Sequence, residues 1–356
     1  TWDDVLGLCH PMTKRVPIQV RHHPDVVFVQ PDMSISLGTR DDALGLGLAL
    51  GIPPRLPGLR QVVLRLHRGY QPIVISQWET DGLTVTQTAL CTLVGAEDVR
   101  TGRETQYVIT HTTVSNTGDT TRETTLTALI GRMGGSQNTN YGPFMAPVDR
   151  WLQPDMGLRL ADGVVTVGDR GLLAYRAEGT SGPELRPTLA LPVPTGAPQR
   201  ELTNCLCFPT SLAPGEETTV DLVAPTAPGL CDPQDLAQAA LTPFAEALSR
   251  AEAYWDAPLA KGMKLTTPEP RYNDIYRHLI LSSLQSTVQE PDRPWHVPYQ
   301  SVFAPSMVWP WEFAHMAVPL MSIGYAEEMR PSLAFFTERQ TGVGPHSAGR
   351  GPEGDV

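Results

Sequence analysis

Two stretches near the end of the chain concentrate side chains that could do chemistry. One spans residues 291–300 (PDRPWHVPYQ) and the other residues 308–313 (VWPWEF). Trp295, Trp309 and Trp311 flank loops at expected helix starts, with His296 and Glu312 beside them. A sugar presents apolar C–H faces and a rim of hydroxyls. A site for one therefore needs aromatic platforms for the faces and carboxylates or amides for the hydroxyls. The three tryptophans supply platforms. Glu312, at the start of a helix where the macrodipole also favours negative charge, supplies an acceptor, and His296 completes the candidate set. A plainer reading fits the same residues: tryptophans packed at a domain interface and an ordinary N-terminal helix charge.

Other chemistries are less well served. His22 and His23 are adjacent, and neighbours on a strand point to opposite faces, so they do not readily share one ion. Cys205 and Cys207 share a strand face but lack a second pair at zinc-site spacing. The run from Gly45 to Gly51 (GLGLALG) matches a glycine-rich dinucleotide turn only weakly, because no strand and helix frame it as a βαβ unit. Neither a phosphate loop ending in Gly-Lys-Ser/Thr nor a Gly-x-Ser-x-Gly elbow occurs. No metal and no cofactor is therefore expected.

The elements that must position these residues follow from periodicity. Between about Val16 and Pro225, short apolar and threonine-rich alternations are bounded by Gly, Pro, Asn and Asp, the pattern of antiparallel strands. Strands are expected at 61–67, 72–78, 83–94, 105–115, 122–130 and 218–224. Asp81-Gly82 predicts a tight hairpin, and Asn116-Thr117-Gly118-Asp119 a second one joining 107–115 to 122–130. Beyond Cys231 the texture changes. Asp232-Pro233 and Thr242-Pro243 read as helix N-caps with proline following, and Phe244, Leu248, Ala251 and Trp255 form one apolar stripe. These are read as linker helices. A stronger helix follows Thr267-Pro268-Glu269-Pro270, with Tyr272, Ile275, Tyr276 and Leu279 as its stripe and Leu284 and Val288 extending it. Further helices are expected over 311–323, stopped by Gly324 and kinked at Pro319, and over 326–340.

Composition limits the partners. The 356 residues include 31 Gly and 34 Pro, which suits many turns and short strands. A formal net charge of −11 disfavours nucleic acid and anionic membrane surfaces, which need a basic footprint. No apolar run is long enough to span a bilayer. The five cysteines are an odd number spread thinly, which does not make a disulfide framework. Compartment stays open. Both ends look cut: Thr1 follows no leader, and residues 341–356 read as a glycine-rich loop in which Glu353 and Asp355 are given no catalytic role.

The order of these elements resembles the front of a six-hairpin glycosidase, the broad group of glucoamylase-like and rhamnosidase-like enzymes. The likeness rests on residues 69–74 (GYQPIV), 78–83 (WETDGL), 107–110 (YVIT) and 114–119 (VSNTGD). It rests also on Trp309-Pro310-Trp311-Glu312, then Leu320, Gly324-Tyr325 and Gln340, which is similar to a first-hairpin pattern of Trp-x-Arg-Asp, Leu, Gly-Tyr and Gln. Trp311 stands where that pattern has arginine, and Glu312 where it has aspartate. The resemblance implies a β-supersandwich over residues 1–225, a helical linker over 226–263, and the first hairpin region of an incomplete (α/α)6 barrel over 264–356. It makes Trp309 and Glu312 sugar-binding residues. Twelve helices of about 11–12 residues do not fit in the last segment. The general acid and its partner carboxylate are thus expected on a downstream segment or a second chain, which would also cover the open half-barrel, unless a symmetry mate does so. A glycoside phosphorylase of the same fold group, and a non-catalytic carbohydrate-binding or structural sandwich, remain alternatives to a hydrolase.

Overall fold

In a computed structural model of the chain, residues 15–38, 44–58, 61–132, 151–152, 154–191, 200–226, 231–299 and 308–339 are described. Two antiparallel sheets stack face to face. The seven-stranded sheet has the order β1 (Val16–Pro17), β2 (Phe28–Val29), β3 (Ile35–Ser36), β4 (Leu44–Leu50), β9 (Arg122–Arg132), β14 (Glu201–Leu212), β13 (Glu184–Ala190). The eight-stranded sheet runs β10 (Leu158–Ala161), β11 (Val164–Val167), β12 (Arg170–Glu178), β15 (Glu217–Pro225), β8 (Gln106–Asn116), β7 (Leu83–Leu93), β6 (Gln71–Thr80), β5 (Val62–His67). Sheets precede helices, as expected for a sandwich followed by an α-helical region.

Alternation places the core. On β8, Val108 and Val114 face the other sheet and join an apolar core with Val74, Val85, Leu126, Leu206 and Phe208. Tyr107 and Ile109, on the opposite face, lie under helices α1 (Pro233–Ala240) and α2 (Phe244–Leu259), packed with Leu236, Ala247, Ala251 and Trp255. Both faces of β8 are therefore covered, which explains why neither is wholly polar. Asp232 caps α1 through its carboxylate, which accepts from the Gln234 amide at 2.8 Å. Helix α2 starts after Pro243 without a side-chain cap, so Thr242 does not repeat the device.

The Asp81-Gly82 hairpin forms as expected, with φ of 50° and 74° at its two residues and Thr80 paired with Leu83. The second expected hairpin does not. Strand β8 pairs with β7 and β15, whereas β9 pairs with β4 and β14 in the other sheet. The turn uses its hydrogen bonds elsewhere. Thr117 and Gly118 donate their amides to Gly82 O at 2.9 and 3.0 Å, and Asn116 Nδ2 donates to Thr120 O and Leu212 O, both at 2.8 Å. The chain thus reverses and crosses between sheets.

The glycine run is a buried strand, β4, and not a dinucleotide turn. Its leucines enter the core, and an alanine Cβ at Gly47 would lie 2.7 and 2.8 Å from Cε2 and Cη2 of Trp151. Glycine is what lets the indole lie against the backbone.

Three more helices follow: α3 (Pro270–Gln285), α4 (Pro310–Ser322) and α5 (Ala326–Arg339), with a short hairpin of β16 (Thr287–Gln289) and β17 (His296–Pro298) after α3. Only part of the stripe expected on α3 packs, through Tyr276 and Leu284. Tyr272, Ile275 and Leu279 are 63%, 45% and 60% exposed, while Ile280, Leu281 and Leu284 are buried. Val288 lies on β16 because the helix ends at Gln285. Helices α4 and α5 close on α3 through Ile280, Leu284, Phe313, Ala317, Leu320, Tyr325 and Met329. Gly324, with φ of 106°, turns α4 into α5, and Tyr325 OH donates to Pro258 O at 3.1 Å, tying this pair to the end of α2. No helix among the described residues is long and apolar enough to cross a membrane.

Candidate functional site

Strands β16 and β17 enclose a loop that Gln289 organises. Its Nε2 donates to Arg293 O at 2.6 Å and Glu290 O at 3.0 Å. Trp295 is folded into this loop. It is 9% exposed, its Nε1 donates to Glu290 Oε2, and the Arg293 guanidinium lies 5.5 Å from its ring centre. The indole is thus engaged on its edge and on one face.

His296 follows on β17, and its ring stacks on that of His22 at 4.2 Å with an interplanar angle of 30°. His22 comes from the start of the sandwich, with a left-handed φ of 63°, and its Nδ1 is held by Thr287 O at 3.1 Å and Thr287 Oγ1 at 3.0 Å. Burial pushes His296 down to about 4 and His22 well below the usual imidazole value. Both rings are neutral near pH 7. Nδ1 of His296 is itself buried and has no hydrogen-bond partner among the described residues.

The other three predicted residues share the first turn of α4. Trp309 occupies the N-cap position, Pro310 starts the helix, and Glu312 lies in the first turn. Trp309 Nε1 and Glu312 Oε2 are both buried and have no hydrogen-bond partner among the described residues, a donor and an acceptor three residues apart. Buried polar groups are nearly always paired, so two orphans in one helical turn call for a physical reason. Trp311 differs from both. It is 68% exposed, leaning on His315 at 4.4 Å between ring centres. Trp309, Trp311 and Glu312 thus stand together, whereas Trp295 and His296 belong to the hairpin packed against α5. Gln300 and residues 341–356 lie outside the described residues.

The segment 69–71 that carries part of the resemblance has a clear structural place. Tyr70 OH and Gln71 Nε2 both donate to Asp256 Oδ1, at 2.8 and 2.9 Å, Arg68 bridges Glu252 and Asp256, and His278 Nδ1 meets Tyr70 O at 3.0 Å. This polar knot fastens the β5–β6 turn to α2 and α3. A groove of about 910 Å³ lies nearby, between α2 and residues 91–98. In its wall Arg21 pairs with Asp98 at 2.7 Å, and Tyr254 OH donates to Asp98 at 3.3 Å. Cys205 and Cys207 are packed against Trp151, and burial pushes the Cys205 thiol up to about 12. Among the described residues no three His, Cys, Asp or Glu side chains are placed to hold a metal ion.

Sequence reasoning weighed His22 only as a metal ligand and did not single out Glu290, yet these are the partners of His296 and Trp295. Glu290 stands next to the expected loop and was within reach of a local reading. His22 was not, because only the fold brings it there.

No protein-family model matches the chain, and no curated protein matches it. Solved structures do. A bacterial glucoamylase complexed with acarbose has a TM-score of 0.45 at 10% identity, covering 92% of this chain and 50% of its own. A human-microbiome protein assigned as a kojibiose phosphorylase has 0.43 at 9%, covering 78% and 41%. A family GH92 inverting mannosidase from Bacteroides thetaiotaomicron has 0.33 at 12%, covering 96% and 47%. The chain spans about half the length, or less, of each.

Proposed function

We propose that this chain forms the sandwich and first helical hairpin of an enzyme that hydrolyses glycosidic bonds in an oligo- or polysaccharide. The catalytic carboxylates would come from polypeptide that folds against it. The observation that carries this reading is the orphan pair at the start of α4. A sugar hydroxyl both donates and accepts, so one bound at this turn accepts from Trp309 Nε1 and donates to Glu312 Oε2, pairing two groups that have no partner among the described residues. Trp311, largely exposed beside them, offers an open aromatic face. The proposed division is a sandwich over 1–225, helices over 226–263, and a barrel segment from 264 onward. The exposed side chains of Tyr272, Ile275 and Leu279 on α3, and of Val318 and Met321 on α4, suit a covering helical layer.

A second reading is favoured by the engaged ring of Trp295: a sandwich module whose helical end serves docking and not sugar binding. Calorimetric titration with acarbose, kojibiose and mannobiose separates the two. The site reading expects saturable binding of at least one sugar, weakened tenfold or more by Trp309→Phe and by Glu312→Gln with thermal unfolding unchanged. Equal affinity in wild type and both variants, or no binding at all, refutes it and leaves the docking reading.

A further inference from the structure

A cluster of buried polar side chains lies on the inner face of the eight-stranded sheet. There Gln87 on β7 pairs directly with Ser76 on β6 and with Thr112 on β8. Trp78 and Thr110 are its diagonal neighbours, since Trp78 pairs with Val85 and Thr110 with Ala89. All face the core, as the flanking Val74, Val85, Ala89, Val108 and Val114 show. Their exposures run from 0% at Thr110 to 5% at Gln87.

Four atoms of this island have no hydrogen-bond partner among the described residues: Ser76 Oγ, Trp78 Nε1, Gln87 Oε1 and Thr110 Oγ1. The set is chemically mixed, with one obligate donor in the indole, one obligate acceptor in the amide carbonyl, and two hydroxyls that can serve either way. Ser76 and Gln87 stand opposite each other and still do not bond. A cluster of this kind, closed off in a packed core, carries a desolvation penalty that no protein group offsets. Water can offset it, being small enough to enter and able to donate and accept at once, with about three partners per buried molecule.

We propose that the sandwich contains a sealed hydration site centred on Gln87, whose resident ligand is water bound by Gln87 Oε1, Trp78 Nε1, Ser76 Oγ and Thr110 Oγ1. The site is independent of the carbohydrate reading and lies on a different layer of the molecule. It gives the polar row a role in fixing strand pairing, because a one-residue slip of β7 would turn Gln87 out of the core and leave its neighbours without their shared ligand.

Two measurements test it. A crystal structure of the chain at a resolution that shows solvent is expected to place at least one water about 2.7–3.2 Å from Gln87 Oε1 or Trp78 Nε1. Direct bonds among these side chains with no intervening density overturn the proposal. The near-isosteric Gln87→Met variant then reads the energetics in urea. In a hydrated island it strands the remaining polar atoms and lowers the unfolding midpoint, whereas removing an unpaired carbonyl from a dry core raises it. If Gln87→Met does not fold, Trp78→Phe is read with the same signs, and a raised midpoint overturns the proposal.

Discussion

Alanine at position 47 puts one methyl group where Trp151 already lies. The new carbon would be 2.7 and 2.8 Å from two indole carbons, against about 3.5–4.0 Å for an ordinary carbon contact. The indole has little room to withdraw. Trp151 is 2% exposed, packs with Ala49, Leu129, Leu202, Cys205 and Cys207, and is fixed through its carbonyl by Thr203 Oγ1 at 2.9 Å. Overpacking of this kind costs about 1–3 kcal/mol. The stiffer unfolded chain returns about 0.4–1 kcal/mol, leaving Gly47→Ala less stable by about 1–2 kcal/mol. Urea unfolding at a common m-value measures it. Trp151→Ala alone should cost about 3–5 kcal/mol. In that background Gly47→Ala should be neutral or better, for a coupling of about 1–3 kcal/mol. If Gly47→Ala matches wild type while Trp151 is present, the close approach of indole and backbone is wrong.

Stability should rise with pH between about 4 and about 6.5, because in that window the unfolded chain binds protons at positions 22 and 296 that the folded chain excludes. For His296, a fall from 6.5 to about 4 corresponds to about 3 kcal/mol lost on acidification through the window. Denaturant titrations at several pH values should show it, reduced in His296→Phe, and a flat wild-type profile would contradict it. Asp256→Ala removes the acceptor of Tyr70, Gln71 and Arg68 and should destabilise by about 1–3 kcal/mol, with Tyr70→Phe adding little more in that background; full additivity of the two substitutions by calorimetry would show that the knot is not one unit.

Much of the fold was legible wherever local chemistry decides. Positive φ at Asp81 and Gly82 fixed one hairpin, and Asp232-Pro233 and Glu269-Pro270 marked two helix starts. What was not legible depends on partners. Asn116–Asp119 encodes a reversal but says nothing about which strand β9 will meet, and that choice moved it to the other sheet. The stripe on α3 held in part: Tyr276 and Leu284 pack, but Tyr272, Ile275 and Leu279 stay exposed and Ile280 and Leu281 are buried instead, because 3.6-residue periodicity carries no rule for which apolar face meets a partner. The glycine run of β4 suggested a ligand loop because the indole that needs Gly47 lies about a hundred positions away. At the candidate site, residue types located Trp309 and Glu312, but only the fold reveals their unpaired atoms and the stack of His296 on His22.

The covering of the eight-stranded sheet by α1 and α2 has a consequence for how the protein is made. Tyr107, Ile109 and Val223 are buried only once Leu236, Ala247, Ala251 and Trp255 have arrived, so the sheet remains wet on one side while the ribosome is still translating those codons. A nascent sandwich ending at residue 225 holds every strand described in both sheets and still lacks the helices that cover one face of the larger sheet. The interval between synthesis of β15 and release of α2 is when this chain should most need a holding chaperone.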